Sequence, residues 1–332
     1  MPLYAFGSNG SGQLGIGHIE DVSTPTKCLF EDTSPPLPAS EITRIAAGGN
    51  HTLILFSDGR VYATGMNEDG RCGSLPGVDD AVTRFRQVVV DGVERFRDVS
   101  ATWEASFLVS GEGRRVFVLG SGGRGSWGLE GGLFVVGIAS GMGHTVVVLE
   151  NGEVYGWGAA RKGQLGQARK GDKVVWELVR IEEVGFRATG AACGREFTVV
   201  VGDREKGEFV VLGSADDRWG VLVGSSIPAP VGCRSIEASW HGVYVHRQDG
   251  ELPPREMGRV MDLAVGSEHV LATVDERTVV ACGWGEHGNC GPVTDAQGNV
   301  KGICSPISLP EEALDVVGIG AGCATSWVIT RD

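Results

Sequence analysis

Short apolar runs broken by glycine set the rhythm of this chain. The clearest unit runs from Ile42 to Gly65. It predicts a short strand, a glycine turn at Gly48-Gly49, a second strand through His51-Thr52-Leu53, an Asp58-Gly59 turn and a third strand through Val61-Tyr62. Short strands alternating with turns predict antiparallel hairpins. Asp58-Gly59 points to a type I′ turn, which needs positive φ.

The unit recurs. Ile138-Ala139-Ser140-Gly141-Met142-Gly143-His144-Thr145, followed by Asn151-Gly152 and Val154-Tyr155-Gly156-Trp157-Gly158, is a second copy. Leu263-Ala264-Val265-Gly266-Ser267-Glu268-His269 is a third. Weaker copies carry Trp103-Glu104-Ala105-Ser106, Gly194-Arg195-Glu196-Phe197-Thr198, Trp240-His241-Gly242-Val243 and Gly322-Cys323-Ala324-Thr325-Ser326. Aligned on the first turn residue, the copies begin at Gly48, Thr102, Gly141, Gly194, Ser239, Gly266 and Gly322. That is a repeat array with a period of about 45 residues, the scale of propeller blades.

A glycine-rich turn ending in a Gln-Leu-Gly-like box follows most third strands. It reads Gly7-Ser8-Asn9-Gly10-Ser11-Gly12-Gln13-Leu14-Gly15 at the start, Gly163-Gln164-Leu165-Gly166 in the middle and Gly288-Asn289-Cys290-Gly291 late. Between Ser239 and Gly266 the spacing shrinks, the box is missing and Leu252-Pro253-Pro254 stands instead. Proline cannot donate to a ladder, so the sixth blade is expected to be truncated. The chain opens on an unpaired arm, Leu3-Tyr4-Ala5-Phe6-Gly7, and ends on its complement, Ser326-Trp327-Val328-Ile329-Thr330. Pairing them would close a ring and leave no long free edge. The expectation is an all-β, seven-bladed β-propeller, one domain over residues 1–332, closed by its N- and C-terminal strands.

Composition narrows the picture. Glycine numbers 53, more than twice its usual share of about 7%, and no G-X-Y period accompanies it. A hydrophobic fraction of 42% excludes disorder. The net charge of −13 disfavours nucleic acid at the bulk surface. No apolar run approaches the ~20 residues of a membrane span, and Met1-Pro2-Leu3-Tyr4 does not read as a signal peptide. The eight cysteines are scattered without a CxxC pair. Reduced thiols in the cytoplasm or nucleus are therefore expected.

These strings resemble the regulator of chromosome condensation repeat family, over nearly the whole chain and most weakly around blades five and six. Trp284-Gly285-Glu286-His287-Gly288-Asn289-Cys290-Gly291-Pro292, Gly266-Ser267-Glu268-His269 and Gly322-Cys323-Ala324-Thr325-Ser326-Trp327 are similar to its fungal killer-toxin-insensitivity branch. The resemblance implies a seven-bladed propeller that is not an enzyme and carries no cofactor. It also implies a heterodimer with a small CSL zinc-finger protein, diphthamide biosynthesis protein three. That pair would support Elongator-dependent tRNA wobble-uridine modification and diphthamide synthesis. The family founder's guanine-nucleotide exchange activity is the alternative. The net charge and the lack of a basic N-terminal run weigh against it.

Candidate chemistry is sparse. Gly283-Trp284-Gly285-Glu286-His287-Gly288 and Gly120-Ser121-Gly122-Gly123-Arg124-Gly125 match GxGxxG. A dinucleotide site needs a helix to follow, whereas a repeat turn needs only the glycines. His287 and Cys290 have HxxC spacing, half of a zinc site with no second pair nearby. His51, His144 and His269 share one repeat position, which suits loop-ordering hydrogen bonds better than catalysis. Trp103 and Trp240 stand where the regular copy has Gly49, and Asn50, Glu104, Glu196, His241 and Glu268 fill the next position. Repeat equivalence puts these turns on one face, where the tryptophans either pack across the central opening or meet a partner. Trp, unlike Lys, is enriched at interfaces. The expected contact set is Trp103, Glu104, Trp240, His241, Glu268, Glu286, His287, Asn289 and Cys290. Trp157, Trp284 and Trp327 are read as blade core, Trp284 with the weakest case.

Overall fold

The computed structural model describes residues 2–31, 38, 41–73, 81–121, 125–213, 231–247, 260–313 and 315–331. The chain opens with β1 (Leu3–Gly7) and β2 (Val22–Lys27). Next come β3 (Ile42–Ala47), β4 (His51–Phe56), β5 (Val61–Met66) and β6 (Ala81–Gln87). The following group is β7 (Phe96–Ala101), β8 (Ala105–Ser110), β9 (Arg115–Gly120) and β10 (Gly125–Gly128). After it stand β11 (Val135–Ser140), β12 (His144–Leu149), β13 (Val154–Ala159) and β14 (Val174–Arg180). Shorter groups follow: β15 (Gly190–Cys193), β16 (Phe197–Val201) and β17 (Phe209–Gly213), then β18 (Cys233–Ala238) and β19 (Val243–Arg247). The chain finishes with β20 (Asp262–Val265), β21 (His269–Thr273), β22 (Val279–Trp284), β23 (Asn299–Pro306), β24 (Val316–Ala321) and β25 (Thr325–Thr330). Among the described residues there is no α-helix.

Each group forms an antiparallel sheet, and β1–β2 joins β25–β24. The innermost strands pass the ring on from sheet to sheet. β3 lies beside β7, then β11, β15, β18, β20 and β24 follow, and β24 returns to β3. Closure is as the two unpaired arms imply: Leu3 faces Ile329, Ala5 faces Trp327 and Gly7 faces Thr325. The chain therefore forms an all-β propeller. Its blade count differs from the seven expected. Six sheets are blades of three or four strands, and β18–β19 is a two-stranded hairpin among the described residues. Leu252-Pro253-Pro254 lies outside the described residues.

The second strand of the regular blades is sandwiched between neighbouring sheets and buried on both faces. His51–Phe56, His144–Leu149 and Thr325–Thr330 are buried throughout. The core thus lies in the seams between blades. One such seam joins Leu14, Ile54, Phe56, Tyr62, Phe85 and Trp327. One local detail departs from the sequence reading. Gly59 has φ +85° while Asp58 is not left-handed, and Phe56 N–H bonds the Arg60 carbonyl at 2.9 Å. This is a longer loop with glycine at the left-handed position, not a type I′ turn.

The boxes act as clasps across the seams. Carbonyls of Gln13, Arg71, Gln164 and Asn289 accept from the hydroxyls of Thr52, Ser106, Thr198 and Ser326, each on the next sheet, at 2.7–2.9 Å. Leu14, Cys72, Leu165 and Cys290 follow these residues and are buried. Asn9 secures the first box, its Oδ1 accepting from Leu14 N–H at 3.0 Å.

Candidate protein-binding face

The turns after the innermost strands form one belt. Gly49 N–H donates to the Trp103 carbonyl, Trp103 N–H to Met142, Arg195 N–H to Trp240, Trp240 N–H to Ser267 and Ser267 N–H to Gly322, at 2.8–3.1 Å. These bonds satisfy turn groups that would otherwise be orphaned. They also place the equivalent turns side by side on one face. Trp103 and Trp240 follow β7 and β18, on opposite sides of the ring. Their indole rings meet over the opening, with centroids 5.4 Å apart and planes tilted by 39°. Gly49 makes room for this stack, since a Cβ there would lie 2.6 Å from the Trp103 ring. The Arg195 guanidinium sits 5.7 Å from the Trp240 ring centroid.

Around the pair, Glu104, Glu196 and Glu268 are exposed. His241 Nε2 lies 3.6 Å from Glu268 Oε1. Burial holds the His241 pKa below its ordinary value, against the pull of Glu268. Beneath the tryptophans the innermost strands enclose a channel of about 460 Å³. Arg44 and Glu237 line it; Arg44 Nη1 bonds Asp98 Oδ1 at 2.5 Å, and Glu237 Oε2 accepts from Val265 N–H at 3.0 Å. Burial pushes the Glu237 carboxyl up to about 7. Sequence reasoning missed these groups. Their signal was present: Glu237 occupies the position of Ala46, Ser100, Ala139, Ala192, Ala264 and Gly320 in the other copies.

The Glu286–Cys290 loop starts at the same face, because Trp284 N–H bonds the Glu268 carbonyl at 2.9 Å. Its residues then part. Glu286 is exposed, and His287 Nδ1 meets Asp21 Oδ2 at 2.7 Å beside the half-exposed Trp284. Asn289 and Cys290 are fully buried, which corrects their expected place on the contact surface. Asn289 Nδ2 donates to the Trp284 carbonyl at 2.8 Å. Cys290 takes the core position of Leu14 and Leu165, and burial raises its thiol pKa to about 12. His287 and Cys290 thus face different surroundings. No α-helix follows Gly288 to receive a pyrophosphate. In the second GxGxxG string, Gly122, Gly123 and Arg124 lie outside the described residues.

The three repeated histidines are buried. His144 Nε2 lies 2.8 Å from Thr198 Oγ1, and His269 Nε2 lies 2.9 Å from Ser326 Oγ. Each hydroxyl gives its single proton to a box carbonyl, so the imidazole must donate. Both rings are therefore neutral Nε2–H tautomers. Burial lowers the His144 and His269 pKa values to about 4 and that of His51 to about 3. Among the described residues His51 has no side-chain hydrogen-bond partner. Trp157 and Trp327 are buried core residues, as expected.

Two family models, both described as the regulator of chromosome condensation (RCC1) repeat, match residues 42–71 and 135–164, and residues 2–55 and 151–201. An RCC1 repeat-containing protein of Schizosaccharomyces pombe is 30% identical over 374 residues, covering 99% of each chain. The chain belongs to the regulator of chromosome condensation repeat family. A second relative, the secretion-regulating guanine nucleotide exchange factor of Mus musculus, is 28% identical over 99% of this chain and 72% of its own length. Among solved structures, human WBSCR16 has a TM-score of 0.78 at 16% identity, covering 100% of both chains. Prp20p of Saccharomyces cerevisiae has a TM-score of 0.77 at 18% identity, covering 100% of this chain and 92% of its own. At such identities the likeness is one of fold.

Proposed function

We propose that this family member is a protein-binding platform and not an enzyme. Its proposed partner is the small CSL zinc-finger protein, diphthamide biosynthesis protein three. The pair would serve Elongator-dependent tRNA modification and diphthamide synthesis, in cytoplasm and nucleus. This reading rests on the likeness of the Trp284–Pro292 string to killer-toxin-insensitivity protein thirteen, the alpha-tubulin suppressor. The observation that carries it is the Trp103–Trp240 stack. It sets a rigid aromatic anchor at the centre of a face ringed by Glu104, His241, Glu268, Glu286 and His287. Aromatic anchors surrounded by polar groups are typical hot spots.

The test is calorimetric titration of the purified zinc protein into the parent, Trp103→Ala and Trp240→Ala. Truncation of a buried anchor costs roughly 2–4 kcal/mol, or about 30- to 1,000-fold in affinity. Unchanged affinity in both folded variants would remove the face. No binding to the parent would remove the partner. The relative named a guanine nucleotide exchange factor supports the alternative, regulation of a small GTPase. Accelerated nucleotide release from a GTPase by the purified chain would favour it.

A further inference from the structure

The seam between β8 and β12 lacks such a clasp among the described residues. Residues 8–21, 67–80, 160–173 and 285–298 join the third and fourth strands where a box is present, whereas only residues 121–124 join β9 to β10. The same blade carries Ala105 where β4, β12 and β21 begin with histidine. Thr145 stands at the register of Thr52, Ser106, Thr198 and Ser326, but among the described residues no box carbonyl reaches it. Its hydroxyl turns to Ser140 Oγ of its own hairpin at 2.8 Å. Beside Thr145 the seam opens into a cavity of about 710 Å³ on the tryptophan face.

The lining of this cavity is aromatic and basic. Phe107 and Trp157, with centroids 5.0 Å apart, are buried core residues that reach its wall. Trp176 of β14 also lines it and is 61% exposed, a large apolar surface left in water. Arg161, Lys162, Lys173 and Arg195 stand around these rings, against the carboxylates Glu104 and Glu196. Lys162 already lies 3.8 Å from Glu196. The excess is cationic in a chain of net charge −13.

The geometry points to a docking pocket for an acidic linear segment of a partner protein that inserts an aromatic side chain between blades. Charge complementarity selects the acid, and the exposed Trp176 with the Phe107–Trp157 wall selects the ring. A single-stranded nucleic acid shares both features. The overall negative charge and the two lining carboxylates oppose a chain of phosphates. The pocket borders Trp103 but does not depend on the zinc protein being the partner.

Fluorescence anisotropy tests this on the intact chain. The probe is a labelled heptapeptide with one tryptophan between two triplets of glutamate. Counterparts replace the tryptophan by alanine, or the glutamates by lysines, and a labelled oligouridylate stands for nucleic acid. The acidic tryptophan peptide is expected to bind saturably and more weakly at higher salt. Trp176→Ala and Lys173→Glu should each weaken it by about 10-fold or more. Gly143→Phe should do the same by plugging the pocket: a Cβ there meets only Ala159, at 3.5 Å. Lys27→Glu, on the exposed end of β2, should change nothing. Trp176→Ala alters an exposed side chain, so the test survives misfolding of the plugged variant. Absence of saturable binding would overturn the proposal. So would equal binding of the counterpart peptides, unchanged affinity in Trp176→Ala, or tighter binding of the oligouridylate.

Discussion

Two neighbouring seams differ in one device. Where β12 meets β16, Thr198 accepts from His144 and donates to the Gln164 carbonyl, and Leu165 fills the core. Where β8 meets β12, the same register holds Thr145; Ala105 stands at the histidine position, no box carbonyl reaches Thr145 among the described residues, and a cavity stands open. Histidine and box occur together in the blades of His51, His144 and His269 and are missing together in the blade of Ala105. The box can also stand without the histidine, since the closing blade keeps Gln13-Leu14 with Thr325 at the histidine position. A repeat can lose both and still close the ring, because aromatic packing holds the seam: Trp127 packs on Trp157 with centroids 4.6 Å apart and planes tilted by 47°.

Acid should separate the seams most. The folded pKa values of His51, His144 and His269 lie below the unfolded value of about 6.5. Below that pH the unfolded chain takes up protons that the native chain refuses. Stability should fall by about 1.4 kcal/mol per pH unit for each histidine and level off near pH 4. Above pH 6.5 the effect vanishes. Urea midpoints at pH 7 and pH 5 measure it, and His144→Gln should shallow the slope. An unchanged midpoint would mean that these rings do not stay neutral.

Core loss comes next. Leu165→Ala should cost about 2–5 kcal/mol by leaving a cavity in the clasped seam, read by thermal or urea unfolding. Thr198→Val should cost about 1–3 kcal/mol, since it strands both the Gln164 carbonyl and the His144 ring. Thr145→Val, at the open seam, should cost less than about 1 kcal/mol, since it loses one partly buried bond. Equal losses at the two threonines would break the comparison. Smallest of all, Lys162→Ala should shift stability by less than about 0.5 kcal/mol, because its pairing with Glu196 at 3.8 Å is exposed to solvent.

Much of this was legible in the residues. The complementary ends foretold the pairing of Leu3 with Ile329, and repeat alignment put Trp103, Glu104, Trp240, His241 and Glu268 on one face. Asn289 and Cys290 were misplaced because a distinctive string speaks for kinship, not exposure. The better signal was their register with Gln13-Leu14 and Gln164-Leu165, which marks them as clasp and core. The sixth blade was read as short, and its two-stranded pairing among the described residues appears only when strands meet.

What the sequence determined by itself is whatever repeats: strand, turn and box recur at fixed offsets, and local geometry follows from local chemistry. The tertiary structure alone decided what crosses the ring or a seam. The Trp103–Trp240 stack, the Arg44–Asp98 pair, the raised Glu237 carboxyl and the open cavity beside Thr145 all join residues from different blades. Their contacts depend on how wide the ring closes and how neighbouring blades face one another. No offset along a single repeat encodes those distances.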